Sequence, residues 1–159
     1  MILWLGGSIV RMSTAYDIYE PFTEMELKPG YPDTARVQTV KLFSYGSFYT
    51  GIGFAAAFIG FGGLGYLWSS RMKKQGWLLM SLALFMIAAP WGFYEIYIDL
   101  KLFYFVKNEG ITFSDEMIKE LFVDRFSKLS PWALLSYFSA ISSVAVIVWR
   151  PLNKIENNN

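Results

Sequence analysis

Apolar residues in this chain fall in long unbroken blocks rather than in alternating or helical stripes, and these blocks set the expected elements. From Leu42 to Trp68 there is no charged residue. That length is enough to cross a bilayer with some tilt. A second block runs from Trp77 to Ile98 and extends as a helix towards Phe105. Pro90 lies inside it and is expected to kink it, because proline removes a backbone donor and crowds the preceding turn. A third block covers 132–149, near the lower length limit for a span. It opens at Ser130-Pro131, with the proline suited to a first helical turn. Together these blocks predict an all-α integral membrane protein with three transmembrane helices at 42–68, 77–98 and 132–149.

The intervening segments read differently. Residues 1–11 are apolar up to Arg11, and ten helical residues rise only about 15 Å, half the hydrocarbon thickness. They form either a short segment dipping into the membrane or packing on a partner, or the end of a fourth, truncated spanning helix with an upstream start. No basic n-region marks them as a signal peptide. Residues 12–41 hold Pro21, Pro29 and Pro32 and read as an extended loop whose tyrosines rest on the membrane interface. Residues 69–76 form a tight basic turn. Segment 99–130 breaks at 107–112, where Thr112 with Asp115, or Ser114 alone, is placed to cap the next helix. Over 114–129, Ile118, Leu121, Phe122, Phe126 and Leu129 share one face, opposite Lys119, Asp124 and Lys128. This is an amphipathic helix that lies in the interface or docks on a neighbour.

Composition narrows the chemistry. Only 17% of residues are charged, against 54% hydrophobic and 19% aromatic, whereas a typical soluble domain is about 25% charged. The sequence has no cysteine and no histidine, which removes disulfides, thiolate chemistry and the commonest metal, haem and general-base side chains. No cofactor is therefore expected to be bound by this chain alone, and any redox centre it touches belongs to a partner. The net charge of +1 gives no basis for nucleic-acid binding. The turn 69–76 and the tail 150–159 carry five Lys/Arg and one acid, while 1–41 and 99–130 carry nine and eleven. The positive-inside rule then places the turn and the C-terminus in the cytoplasm of a cell membrane, with 12–41 and 99–130 extracytoplasmic.

The candidate positions follow from this layout. Gly46, Thr50, Gly53, Ala57 and Gly60 recur at steps of four and three and form one seam, and Ser136, Ala140 and Ser143 form a second. Small residues in lipid let helices approach closely, so packing is the leading reading, with a lipid or substrate groove as the alternative. Trp68, Trp77, Trp132 and Trp149 fall at span ends and read as interfacial anchors. Glu95 is the one acid inside a span, and Asp99 lies four residues on, on the same helix face. No Lys or Arg falls inside a span to pair with Glu95. The pair is expected at the outer end of its span, within reach of water or headgroups. The alternatives are a hydrogen bond between helices or a proton or cation site. Met80 and Met86 read as packing rather than metal ligands. GFGGLG at 60–65 lacks the strand before it and the Lys-Ser/Thr after it that a phosphate loop needs, and no hydrolytic triad or paired catalytic carboxylates can be assembled.

These readings favour a chain that is not itself an enzyme. The leading expectation is an accessory subunit of a larger membrane complex, such as a respiratory or other membrane oxidoreductase assembly. It would sit in hetero-oligomeric contact with other membrane subunits, with lipids at its surface. A small homo-oligomeric channel or transporter with Glu95 in the pathway is the second expectation. A membrane assembly factor or adaptor acting through 12–41 and 99–130 is the third.

Overall fold

The structure, a computed structural model, describes residues 1–23, 26–72, 75–108, 111–112 and 116–151. In chain order it holds α1 (Ile2–Tyr16), α2 (Asp33–Leu67), α3 (Ser69–Met72), α4 (Gly76–Asn108), α5 (Glu116–Ile118), a π turn (Lys119–Val123) and α6 (Asp124–Trp149). Three helices are long and apolar enough to cross a membrane: α2, α4 and the Pro131–Trp149 part of α6. Most of each apolar stretch faces outward, where lipid rather than water would meet it. The chain is an all-α membrane protein. Ser114, Asp115, Lys73, Lys74, the side chains of Asp124, Lys128 and Leu129, and the tail beyond Pro151 lie outside the described residues.

The long helices are neighbours in antiparallel pairs, as short connections require. Along α1, Trp4, Gly7 and Arg11 meet Gly53, Thr50 and Gly46 of α2 in reverse order. Phe54, Phe61 and Gly65 of α2 meet Phe93, Phe85 and Leu82 of α4. Ser81, Ala88 and Asp99 of α4 meet Ser143, Ser136 and Arg125 of α6. The result is a four-helix bundle in which α1 lines only part of the length of α2.

Several boundaries differ from the sequence reading. The apolar segment 1–11 continues as helix to Tyr16, because Arg11 and Ala15 are buried against the bundle. The loop assigned to 12–41 shrinks to 17–32: α2 starts at Asp33, directly after Pro32, and Thr39, Val40 and Phe43 are buried. The connection is closed by an antiparallel bridge between Tyr19 and Leu27. Lys28 N–H donates to the Ile18 carbonyl at 3.1 Å. Gly30 takes φ 77° in the Pro29-Gly30 turn, a conformation that favours glycine. Burial, with a smaller contribution from Tyr16, pushes the Tyr19 phenol up to about 12. The second span extends to Asn108, and Pro90 lies within a continuous helix, where it withholds a donor from the Met86 carbonyl. Pro131 does not open a helix. Docking of Leu121, Phe122 and Phe126 holds the preceding turns helical, so α6 begins at Asp124 and continues from the π turn without a break. The amphipathic face read over 114–129 therefore docks on the bundle rather than lying alone in the interface.

Apolar packing falls into two clusters. One holds Trp4, Phe54, Ala57, Phe61, Phe85, Ala88, Tyr137 and Ala140 and fills the bundle within the spans. The other holds Ala15, Ile18, Val40, Phe43, Leu102, Val106, Ile118, Phe122 and Phe126 and sits at the end that carries the 17–32 connection. The tryptophans divide too. Trp132 and Trp149 are exposed, as interfacial anchors should be. Trp77 instead is 3% exposed, edge-on to Trp68 and beneath the Arg150 guanidinium at 5.4 Å. It is a packing residue at the helix end, because α6 closes over it there.

The seam on α2 explains the need for glycine. A Cβ at Gly53 would lie 2.7 Å from the backbone nitrogen of Trp4, and one at Gly46 would press on the Arg11 side chain at 3.0 Å. Gly60 has open space beside it, so the contact with α1 ends at Ala57. Gly53→Ala is expected to cost about 1–3 kcal/mol by forcing α1 away. Gly62→Ala, where nothing lies within 4 Å, is expected to stay within about 0.5 kcal/mol. Unfolding of both variants in mixed micelles measures the contrast.

Candidate functional site

Between the two apolar clusters lies a layer of charge. Glu95 and Asp99, one helical turn apart on α4, both face the interior and are 7% and 4% exposed. Arg11 comes from α1. Its Nη1 donates to Asp99 Oδ2 at 2.8 Å and to Thr50 Oγ1 at 2.8 Å, and its Nε donates to the Phe43 carbonyl at 3.0 Å. Arg125 comes from the first turn of α6. Its Nη1 donates to Asp99 Oδ1, and its Nη2 lies 3.6 Å from Glu95 Oε1. The Tyr137 hydroxyl, three turns further along α6, donates to Glu95 at 3.1 Å. Phe43 lies beneath both guanidinium groups, at 4.1 Å from Arg11 and 5.2 Å from Arg125.

Each member has a sequence reason for its place. Glu95 and Asp99 share a face because they are four residues apart. Arg11 faces inward because Gly7 and Gly46 leave room for α1 to lie close on α2; Thr50 Cγ2 would be 2.8 Å from a Cβ at Gly7. Arg125 is aimed by the π turn. That turn ends at Val123 and inserts Leu121 and Phe122 into the core just before it. Single π turns inside helices often mark functional positions.

Two cations and two anions make the layer neutral. That balance is what makes burial tolerable, since an unpaired charge in a low-dielectric interior is far more expensive than a paired one. The aspartate is the centre: it receives both arginines, whereas Glu95 takes one longer pairing and the tyrosine. Chemically the arrangement can clamp four helices together, and it places one carboxylate and one phenol in hydrogen-bond contact inside the bundle.

The structure therefore brings the two sequence-selected acids together with partners that the sequence reading did not place. The expected reach of water or headgroups is replaced by burial, and the expected lack of a basic partner is corrected by Arg11 and Arg125. Neither arginine lies inside an apolar block. Arg11 was read as the end of the short apolar segment 1–11 and Arg125 as part of the flanking segment 99–130, and each reaches the layer because its helix is longer than its apolar part. A usable signal was present: Arg125 precedes the buried Phe126 on the amphipathic face, and Arg11 closes an otherwise apolar run. The other predicted positions act as packing. Ser136 Oγ donates to the Ala88 carbonyl at 3.1 Å, and Ser81 and Ser143 hydroxyls each donate to the other's carbonyl at 2.9 Å. Ala140 is fully buried between them. Comparison of the chain with family models, curated proteins and solved structures finds no match.

Removing one member exposes the rest. Asp99→Asn leaves two buried arginines short of charge and is expected to cost about 3–5 kcal/mol. Glu95→Gln keeps an acceptor for Tyr137 and is expected to cost less, about 1–3 kcal/mol. Denaturant unfolding in micelles ranks the two, and equal losses would contradict the central place given to Asp99.

Proposed function

We propose that the chain is a non-catalytic structural subunit of a larger membrane assembly, held laterally against helices of other subunits. The observation that carries this reading is a second small-residue face on α2. Ala56, Gly60 and Gly63 recur at steps of four and three, and all are exposed. Gly60 and Gly63 have nothing within 4 Å of where a Cβ would be. Outward-facing glycines weaken a helix on its own, and in lipid they allow another helix to approach closely. The four buried charged side chains neutralise one another, which fits a scaffold better than a reaction centre. On this reading the turn 69–76 and the C-terminus face the cytoplasm, and the 17–32 end, with its own apolar core, stands outside the bilayer ready to contact a peripheral partner.

The absence of cysteine makes the test clean. Gly63→Cys, the only thiol in the chain, is expected to cross-link under mild oxidation or with a short bis-maleimide to a larger polypeptide in the source membrane. Native mass spectrometry after gentle extraction is expected to show stoichiometric co-purification with that polypeptide. A stable monomer without cross-links overturns the proposal.

One observation favours a second reading, a homo-oligomeric channel or transporter: Glu95 is a carboxylate buried within a span and hydrogen-bonded to Tyr137. Glu95→Gln reconstituted in vesicles would then abolish proton or cation flux. Flux that survives the substitution removes Glu95 from any pathway. A pure adaptor role would show the same partners without lasting stoichiometry.

A further inference from the structure

The two ends of the bundle differ in charge. No acid lies between Asp33 and Glu95, and Glu156 alone follows Asp124. The segments 69–76 and 150–159 therefore set five Lys/Arg against one acid. The structure draws these distant segments together. Arg71 lies in α3, its backbone N–H bonded to the Trp68 carbonyl at 2.9 Å. Trp68 is edge-on to Trp77, with ring centroids 5.9 Å apart, and the Arg150 guanidinium lies over Trp77 at 5.4 Å. Arg150 ends α6 in the left-handed region, at φ 49°. The two arginines thus flank one tryptophan pair, at the level where α2 and α6 end and α4 begins. Both are exposed, and neither has a carboxylate partner among the described residues. The buried indole N–H of Trp77 adds a donor without an acceptor.

We propose that this end of the bundle binds the phosphate of an anionic membrane phospholipid through Arg71 and Arg150. Charge complementarity points to that occupant, because the protein does not supply the missing negative charge. The C-terminal ends of α2 and α6 each offer about half an elementary charge, and the start of α4 sets about half of the opposite sign against them. That is small beside five cations and one acid. A cluster of basic residues immediately beside membrane-spanning helices is the arrangement that attracts anionic headgroups. Depth agrees with charge. Tyr66, Leu67, Val148 and Trp149 are all exposed at this level, and tyrosine and tryptophan favour the headgroup region. Arg71 and Arg150 then stand at the height of lipid phosphates. A guanidinium on an aromatic face keeps its N–H donors for a bidentate phosphate. A zwitterionic lipid brings a further cation to a site that already has an excess of them. A soluble phosphate has no acyl chains to cover Leu67 and Trp149, whereas a phospholipid has. The Gly60 and Gly63 face takes no part in this contact.

The test is native mass spectrometry of the full chain released from nanodiscs that hold phosphatidylglycerol and phosphatidylcholine in equal amounts with matched acyl chains. One phosphatidylglycerol per chain is expected to be retained several-fold over phosphatidylcholine. Arg71→Gln with Arg150→Asn is expected to lower that retention by tenfold or more, at about fivefold for each basic residue near the surface. Asparagine tolerates a left-handed φ, so the end of α6 is kept and the melting temperature in neutral detergent should not change. Lys101→Gln with Lys107→Gln removes the same charge from exposed positions on the last turns of α4, at the opposite end, and is expected to leave the preference intact. If the arginine double variant does not fold, Arg71→Gln alone carries the test, with a fivefold loss expected. Equal retention of the two lipids overturns the proposal. So does a preference unchanged in the folded arginine variant, one lost equally in the lysine variant, or displacement of the bound lipid by millimolar inorganic phosphate. None of these outcomes depends on whether Gly63→Cys finds a partner.

Discussion

A charge that has left water must find its opposite, and that constraint organises this bundle. Asp99 lies on α4, its two cations lie on α1 and α6, and Thr50 and the Phe43 carbonyl of α2 complete the shell of Arg11. At this level α4 could not separate from α1 or α6 without leaving an ionised group uncompensated, and α2 could not leave α1 without stripping Arg11 of two acceptors. Apolar contacts cannot impose this within a bilayer, because lipid tails satisfy an apolar surface as well as a neighbouring helix does. The ion-pair layer therefore supplies register and specificity where the hydrophobic effect is nearly silent. Such a layer is not in itself strong evidence of high stability. Its effect is to make one arrangement of the helices far better than its neighbours.

The layer also divides two kinds of packing. On its span side the core is built from stacked and edge-on rings, as in Phe61 against Phe85 at 4.0 Å, and from serines that bond the carbonyls of a facing helix. Those serines allow close backbone approach, and their own hydroxyls are each satisfied by a carbonyl of the facing helix. On its other side Ile18, Val40, Leu102, Ile118 and Phe122 form a second apolar core. The helices run through both regions without a break. That explains why α2, α4 and α6 all outrun their apolar blocks.

The three spans were legible because hydropathy blocks are a direct consequence of the bilayer as solvent. The α2 seam at Gly46, Thr50, Gly53 and Ala57 was legible for the same reason, although its partner, α1, was not: ten apolar residues are too few to announce a helix that is held in place by packing. The loop-end helices were misjudged because Pro32 and Pro131 were read as local breaks. Pro32 in fact precedes α2 directly, and Pro131 is carried within a helix fixed by Phe122 and Phe126. Glu95 and Asp99 could be singled out from position alone. Their partners could not, since no local pattern links Arg11 to a residue 88 positions away, and charge counting by segment assigns both arginines to water.

The placement of Arg125 shows how local irregularity serves the layer. A regular helix from Glu116 to Trp149 has a single inward face, and that face must serve both the apolar end core and the serine-rich contact with α4. The π turn at Lys119–Val123 adds a residue to one turn and so rotates α5 about the helix axis relative to α6. Leu121 and Phe122 can then fill the end core while Arg125, Ser136, Tyr137 and Ser143 all face α4. The same logic accounts for the glycines at Gly7 and Gly46, which bring α1 close enough to α2 for Arg11 to reach across. Irregular turn and missing side chains are thus two means to one end: two cations delivered to one carboxylate, one from α1 and one from α6.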